Sequence, residues 1–146
     1  MADSDLIKLY SGRILELAAS IPHQGRLDAP MGSARKRSPL CGSTVTVDVT
    51  LTDGRISGFA QDVKACALGQ AAASVLGRVA IGRTGAELNA ARAALQAMLK
   101  EAGPIPAAPF EGYEVLIPAR DYKNRHASIL LALEAACEAV DAAEAG

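Results

Sequence analysis

The chain has 146 residues, half of them apolar, with 15 basic and 16 acidic side chains. This length allows one domain with a substantial core, while the balanced charge and the absence of tryptophan argue against nucleic-acid binding. No stretch resembles a signal peptide or reaches the ~20 apolar residues of a membrane span, and three unpaired-looking cysteines suit a reducing compartment. We therefore expect a cytoplasmic protein that binds neither nucleic acid nor membranes.

The first half of the sequence predicts a helix followed by a β-hairpin. Apolar residues at helical spacing predict an amphipathic helix near residues 3–20. Residues 25–38 alternate weakly, which suits an edge strand or an irregular loop. The clearest strand covers residues 43–52, where valines alternate with polar side chains. Asp53-Gly54 then predicts a tight turn into a return strand over residues 55–63.

The second half is predominantly helical, because the apolar period changes from two to 3.6 at Cys66. Helices are predicted over residues 66–81, 84–101 and 125–142. Thr84 and Glu87 form a capping-box pattern, and the proline-rich residues 103–118 predict an ordered connecting loop. Together these elements predict an α+β fold in a single domain over residues 1–146. Its small antiparallel sheet has about three strands and is covered by four or five helices.

The hairpin brings two cysteines towards one end of the predicted sheet. Cys41 and Cys66 flank the two strands at equal distances from the turn, so their thiols are expected to lie close together. His126 opens the last predicted helix and can approach the same point. Taken singly, each residue has an ordinary structural explanation, because a lone cysteine is usually a small core residue. Cys137 lies on the apolar stripe of the last helix and is predicted to be such a core residue.

Three stretches of the sequence resemble the NifU/IscU-type iron–sulfur cluster scaffold family. These are "SPLCGSTVTVDV", "DVKACALGQAAASVLG" and "RHASILLALEAA", and the resemblance extends from about residue 4 to residue 142. It implies an IscU-like α+β domain whose ligands cluster at one end. The 60-residue gap between Cys66 and His126 is similar to that of the longer SufU-type branch, which tends to hold zinc.

The sequence departs from the family pattern at two ligand positions. Ser43 stands where the family usually has aspartate. In one register His126 matches the family histidine and Ala127 replaces the third cysteine; in the other, His126 itself replaces that cysteine. Both registers leave His126 as the candidate for the third ligand, beside Cys41 and Cys66.

These residue types suit a soft or borderline metal. Two thiolates and an imidazole favour zinc or iron–sulfur chemistry over magnesium or calcium. A [2Fe–2S] cluster needs four ligands, and Asp62 and Ser43 are the candidates within the chain for completing the set. An incomplete ligand shell would make a cluster labile, which a scaffold tolerates because it gives its cluster away.

The resemblance implies a scaffold rather than an enzyme. Such a protein accepts sulfur from a cysteine desulfurase, assembles a transient cluster and transfers it to recipient apo proteins. A zinc-containing sulfur acceptor for the desulfurase is the nearest alternative. A sulfurtransferase role and assembly of the chain into a homo-oligomer are also left open by the sequence. A metal-free interaction module of the same fold would explain Ser43 and Ala127. A hydrolase with a cysteine and histidine pair is the weakest hypothesis, because no orienting acid is visible.

Overall fold

A three-stranded antiparallel sheet, in the order β1-β2-β3, forms the centre of the computed structural model, which describes residues 11–39 and 42–145. Its elements in chain order are α1 (Gly12–Ala19), β1 (Gly32–Arg37), β2 (Thr44–Thr52), β3 (Arg55–Lys64), α2 (Ala67–Val79), α3 (Gly85–Lys100), a 3₁₀ segment (Glu111–Asp121) and α4 (Lys123–Ala145). The predicted α+β fold is confirmed. Residues 3–10 of the first predicted helix lie outside the described residues.

The predicted hairpin is present. Val45, Val47 and Val49 of β2 are buried, and Asp53 and Gly54 both have positive φ angles, 54° and 77°. Positive φ at both central residues defines the turn that matches the right-handed twist of the flanking strands. Pairing continues to the pair Thr44 and Lys64, so the chain leaving β3 enters α2 at the end of the sheet where β2 begins.

The helices follow the predicted pattern except in the proline-rich segment. Thr84 and Glu87 form both hydrogen bonds of the capping box at the start of α3. The predicted connecting loop over residues 103–118 is wrong in its second half, which belongs to the 3₁₀ segment. The buried residues there are Tyr113, Leu116 and Ala119, and a spacing of three places them on one face of a helix with three residues per turn.

No helix in the described ranges is long and apolar enough to cross a membrane. The longest, α4, contacts all three strands and both α2 and α3. Its buried side chains therefore form the centre of the hydrophobic core.

One aspartate on the outer face of the sheet holds the connector between α1 and β1 in place. The carboxylate of Asp48 is fully buried and accepts hydrogen bonds from Arg26 (2.6 and 3.0 Å), from the Leu27 backbone amide (3.0 Å) and from the Ser33 hydroxyl (2.6 Å). Burial alone would raise the pKa of Asp48, but the hydrogen bonds from Arg26, Ser33 and Leu27 outweigh it and lower the pKa below its ordinary value.

Replacing Asp48 with asparagine is expected to lower the free energy of unfolding by about 2–3 kcal/mol, because the network loses its negative charge and one of its two acceptor oxygens becomes a donor NH₂ group that faces other donors. A carboxylate with a lowered folded pKa stabilises the protein above its unfolded pKa and loses that contribution as the pH falls through the folded pKa. The free energy of unfolding, measured with urea between pH 7 and pH 3, should therefore fall less steeply with decreasing pH in Asp48→Asn than in the wild type. Asp28→Asn, at an exposed site in the same connector, is the control. Equal losses of unfolding free energy in Asp48→Asn and Asp28→Asn would contradict the role of Asp48 in holding the connector.

Candidate metal centre

Cys66 lies at the N-terminus of α2, where the strand β3 has just ended. It is the N-cap residue of that helix, with extended backbone angles, φ −68° and ψ 170°. The thiol is partly exposed, and its sulfur lies 3.4 Å from the hydroxyl oxygen of Ser128 in α4.

Two buried serines connect Cys66 to the loop before β2. The hydroxyl oxygens of Ser43 and Ser128 are 3.2 Å apart, and the two residues are 4% and 2% exposed. Backbone hydrogen bonds join Ser38 to Ser43 (2.8 Å) and Gly42 to Ser38 (2.9 Å), which closes the base of this loop beside the serines. Cys41 lies outside the described residues, although Gly42 directly after it lies at this end of the sheet.

The close contact between α2 and α4 depends on a glycine. A Cβ atom on Gly69 would lie 2.7 Å from the Ser128 hydroxyl oxygen and 2.9 Å from the Cβ atom of Ala65. Contacts this short are not sustainable, so only glycine lets the first turn of α2 approach Ser128. Ser128 contacts Cys66 and was not among the candidates that the sequence analysis selected. The sequence signals for this contact were Gly69, three residues after Cys66, and the serine in the third quoted stretch. In the structure this glycine faces that serine.

His126 lies with its ring against the end of the 3₁₀ segment. Its Nε2 atom is 2.9 Å from the carbonyl oxygen of Arg120 and 3.2 Å from that of Ala119, and the residue is 3% exposed. Ser128 follows two residues later, about 200° around the helix, so the two side chains leave α4 in different directions. Within residues 11–39 and 42–145, no three His, Cys, Asp or Glu side chains are placed to hold a metal ion.

The two candidates for completing the ligand set are placed differently. Ser43 lies beside Ser128, as described above. Asp62 is paired across the sheet with Thr46 and alternates with the buried Gln61 and Val63. It therefore lies on the outer face of the sheet, opposite to the face on which α4 packs. The structure brings Ser43 to Ser128, which itself contacts Cys66, and it places Asp62 on the other face of the sheet.

Cys137 is a core residue, as predicted. Its side chain is 5% exposed and belongs to the hydrophobic core together with Leu133 and Val140. Burial raises the pKa of the Cys137 thiol to about 11, so the thiol stays protonated at neutral pH. A protonated, buried thiol is a poor metal ligand.

The groups around Cys66 have the chemistry of an incomplete site for a thiophilic metal. A thiolate is a soft ligand, whereas serine hydroxyls are weak and harder donors. Since Cys66 is partly exposed, a metal ion or a sulfur donor can reach it from solvent. The described residues thus supply one sulfur ligand and two hydroxyls, which is part of a ligand set for a thiophilic metal.

Neither a protein-family model nor a curated protein matches the sequence, but solved structures do. The chain is similar to a nitrogen-fixing NifU-like protein (N-terminal) from Brucella abortus, at 46% identity and a TM-score of 0.93, with 97% of this chain and 98% of that chain covered. It shares the fold of a proposed iron–sulfur cluster assembly scaffold protein for the SUF system from Fervidobacterium islandicum AW-1, at 18% identity and a TM-score of 0.80, with 92% and 98% covered. At 46% identity over nearly its whole length, the chain belongs to the NifU-like family.

Proposed function

We propose that the protein is an iron–sulfur cluster assembly scaffold. The observation that carries this proposal is the position of Cys66 in a NifU-like chain. It lies at the start of α2, partly exposed, and contacts Ser128, which in turn contacts Ser43, two residues after Cys41 in the sequence. The similar fold of the protein described as a SUF-system scaffold supports it. A scaffold is a carrier of its cluster rather than an enzyme.

In this proposal Cys41 and Cys66 receive sulfur and bind iron. Transfer of the outer sulfur of a desulfurase persulfide to the Cys66 thiolate gives a persulfide on Cys66 and leaves the desulfurase thiolate. The exchange needs no external oxidant. The partial exposure of Cys66 permits this approach. The partners in this proposal are a cysteine desulfurase and recipient apo iron–sulfur proteins. The proposed location is the cytoplasm, because a reducing compartment keeps the two thiols free to react.

His126, the third ligand that the sequence predicts, stays part of this proposal on the condition that its ring can turn. Its Nε2 atom faces the carbonyl oxygens of Ala119 and Arg120, so the ring must leave these two acceptors before Nε2 binds a metal. Ser43 is better placed than Asp62 to contribute an oxygen. The cargo expected on such a shell is a transient [2Fe–2S] cluster.

A zinc-containing sulfur acceptor is the second candidate. It is favoured by the 60-residue gap between Cys66 and His126, which is similar to that of the SufU-type branch. Zinc held by three protein ligands would keep an open fourth position, and it would hold the two thiolates of this chain until the desulfurase displaces one of them. The metal-free interaction module stays as the alternative in which neither metal is bound.

Metal analysis separates these candidates. The protein is purified fresh, and half is reconstituted anaerobically with ferrous iron, L-cysteine, a cysteine desulfurase and dithiothreitol, which supplies the two electrons that reduce each persulfide sulfur to sulfide. The proposal predicts iron and acid-labile sulfide in equal amounts after reconstitution. Stoichiometric zinc that reconstitution does not replace would favour the sulfur acceptor. No metal in either sample would favour the interaction module.

A further inference from the structure

Three basic side chains lie together on the outer face of the sheet, at the end where β2 begins. The last cross-strand row at this end consists of Arg37 in β1, Thr44 in β2 and Lys64 in β3, and Arg35 lies in the next row, opposite Thr46. Residues directly opposite one another point to the same face. Neighbouring strands are about 4.8 Å apart, so the backbones of Arg35, Arg37 and Lys64 lie within about 12 Å of one another. These three residues are called the basic patch.

The side chains of the basic patch are not paired with acids, in contrast to the lysine on the other face of the same strand. Lys36 lies between Arg35 and Arg37, points to the opposite face and forms an ion pair of 2.7 Å with Glu138 of α4. Arg35, Arg37 and Lys64 are exposed. In the part of the chain that the structure describes, none of the ion pairs involves them. The basic patch is therefore a concentration of unpaired positive charge.

The composition of this face favours a transient protein partner over a nucleic acid. The chain as a whole has 15 basic and 16 acidic residues, which gives it no overall attraction for a long polyanion, and Asp62 interrupts the second row. The exposed large apolar side chains of the described residues are Leu15, Met31, Ile81 and Ile105. None of them belongs to these two rows. A charged face without apolar anchors suits an encounter that is fast, weak and sensitive to salt.

We propose that the basic patch docks an acidic face of the recipient apo protein. This inference rests on the proposed function, because that function supplies the need for a recipient. Lys64 precedes Cys66 by two residues, so a protein bound to the basic patch lies beside the Cys66 end of the sheet. Opposite charges steer two proteins into contact and fix their relative orientation. Docking here holds the recipient next to the thiol that is proposed to carry its cargo.

Binding of an apo ferredoxin tests the inference without any iron–sulfur cluster. The probe is the apo form of an acidic [2Fe–2S] ferredoxin, and its dissociation constant is measured by titration calorimetry. The glutamine triple variant, Arg35→Gln with Arg37→Gln and Lys64→Gln, should weaken binding about tenfold, because three charge contacts are lost. Between about 0.01 and 0.1 M NaCl the screening length falls from ~30 to ~10 Å. Over this range the wild type should lose more affinity than the variant.

The matched control removes the same charge from three exposed basic residues on helices. It combines Arg13→Gln, Arg78→Gln and Lys100→Gln, and it should bind the ferredoxin within about twofold of the wild type. Equal weakening in both triple variants, or in neither, would overturn the inference. If the glutamine triple variant does not fold, as judged by circular dichroism, Lys64→Gln alone should weaken binding about twofold. An unchanged dissociation constant in Lys64→Gln would then overturn the inference.

Protection of the sheet edge is a structural explanation of the two arginines. β1 is an edge strand, and charged side chains on such a strand prevent pairing with another copy. Self-association of the glutamine triple variant with unchanged ferredoxin affinity would show protection alone and overturn the inference. Arg35→Lys with Arg37→Lys keeps both charges and should bind the ferredoxin within about twofold of the wild type. Loss of binding in this variant would contradict docking by charge.

The remaining outcomes separate this inference from other partners and from the proposed function. Duplex DNA that binds more tightly than the ferredoxin, and is lost in the glutamine triple variant, would assign the basic patch to nucleic acid. Slower loading of that variant by the desulfurase, with normal ferredoxin binding, would assign it to the desulfurase. Either result overturns the inference. If the wild type cannot be reconstituted while ferredoxin binding still depends on the basic patch, the proposed function fails and the docking surface stands.

Discussion

Replacing Cys66 with serine is expected to abolish iron and sulfide binding. Cys66 is the thiol at the start of α2, partly exposed and in contact with Ser128. Serine keeps the shape of the side chain but replaces a soft thiolate with a hydroxyl, which binds iron and zinc poorly. Iron and acid-labile sulfide per chain, measured after anaerobic reconstitution, should fall to background, while circular dichroism and the urea midpoint should stay close to wild type.

The matched control is Cys137→Ser, because Cys137 is the other free cysteine among the residues that the structure describes. It is buried with a pKa of about 11, and serine there should leave iron and sulfide unchanged while lowering the free energy of unfolding by about 1–3 kcal/mol. Equal iron loss in two folded variants would show that Cys66 has no special role.

Replacing Gly32 with alanine is expected to cause the largest loss of stability. Gly32 opens β1, and a Cβ atom there would collide with the carbonyl oxygen of Ala139 and the backbone nitrogen of Ala143 in α4. Both obstacles are backbone atoms of a helix, so neither can move alone. The strand must separate from α4, at a cost of about 3 kcal/mol or more in the free energy of unfolding. The urea midpoint, followed by circular dichroism, measures this loss.

Gly12→Ala provides the comparison for the same chemical change. Gly12 lies in α1, and nothing is within 4 Å of the position of an added Cβ atom. Alanine is the better helix former, so this variant should be unchanged or stabilised by up to about 1 kcal/mol. A Gly32→Ala variant as stable as the wild type would show that β1 is not packed directly on α4.

Local signals account for the parts of the fold that the sequence predicted. The valine alternation in β2 and the Asp53-Gly54 turn specify the hairpin within about twenty residues, and the capping box of α3 spans four. The 3₁₀ segment was missed because prolines nearby suggested a loop. The regular feature of this segment is a buried residue at every third position from Tyr113. This pattern becomes recognisable as one face of a helix only when the surrounding core is known.

The candidate site depends on features that no local pattern encodes. The sequence placed Cys66 at the correct helix start, but the direction of each side chain on α4 depends on how that helix is rotated against α2. This rotation places Ser128 at Cys66 and turns the His126 ring to the carbonyls of the 3₁₀ segment. The burial of Asp48 is likewise tertiary, because it follows from the connector with Arg26 crossing the outer face of the sheet.

Cluster transfer is the most direct test of the proposed scaffold function. The reconstituted protein is separated from free iron and sulfide and mixed anaerobically with an apo ferredoxin in the presence of a chelator. The proposal predicts that iron and sulfide leave this chain together and appear as a [2Fe–2S] spectrum on the ferredoxin, faster than free iron and sulfide assemble there. Retention of the cluster by this chain, or transfer no faster than assembly from free ions, would contradict the scaffold function.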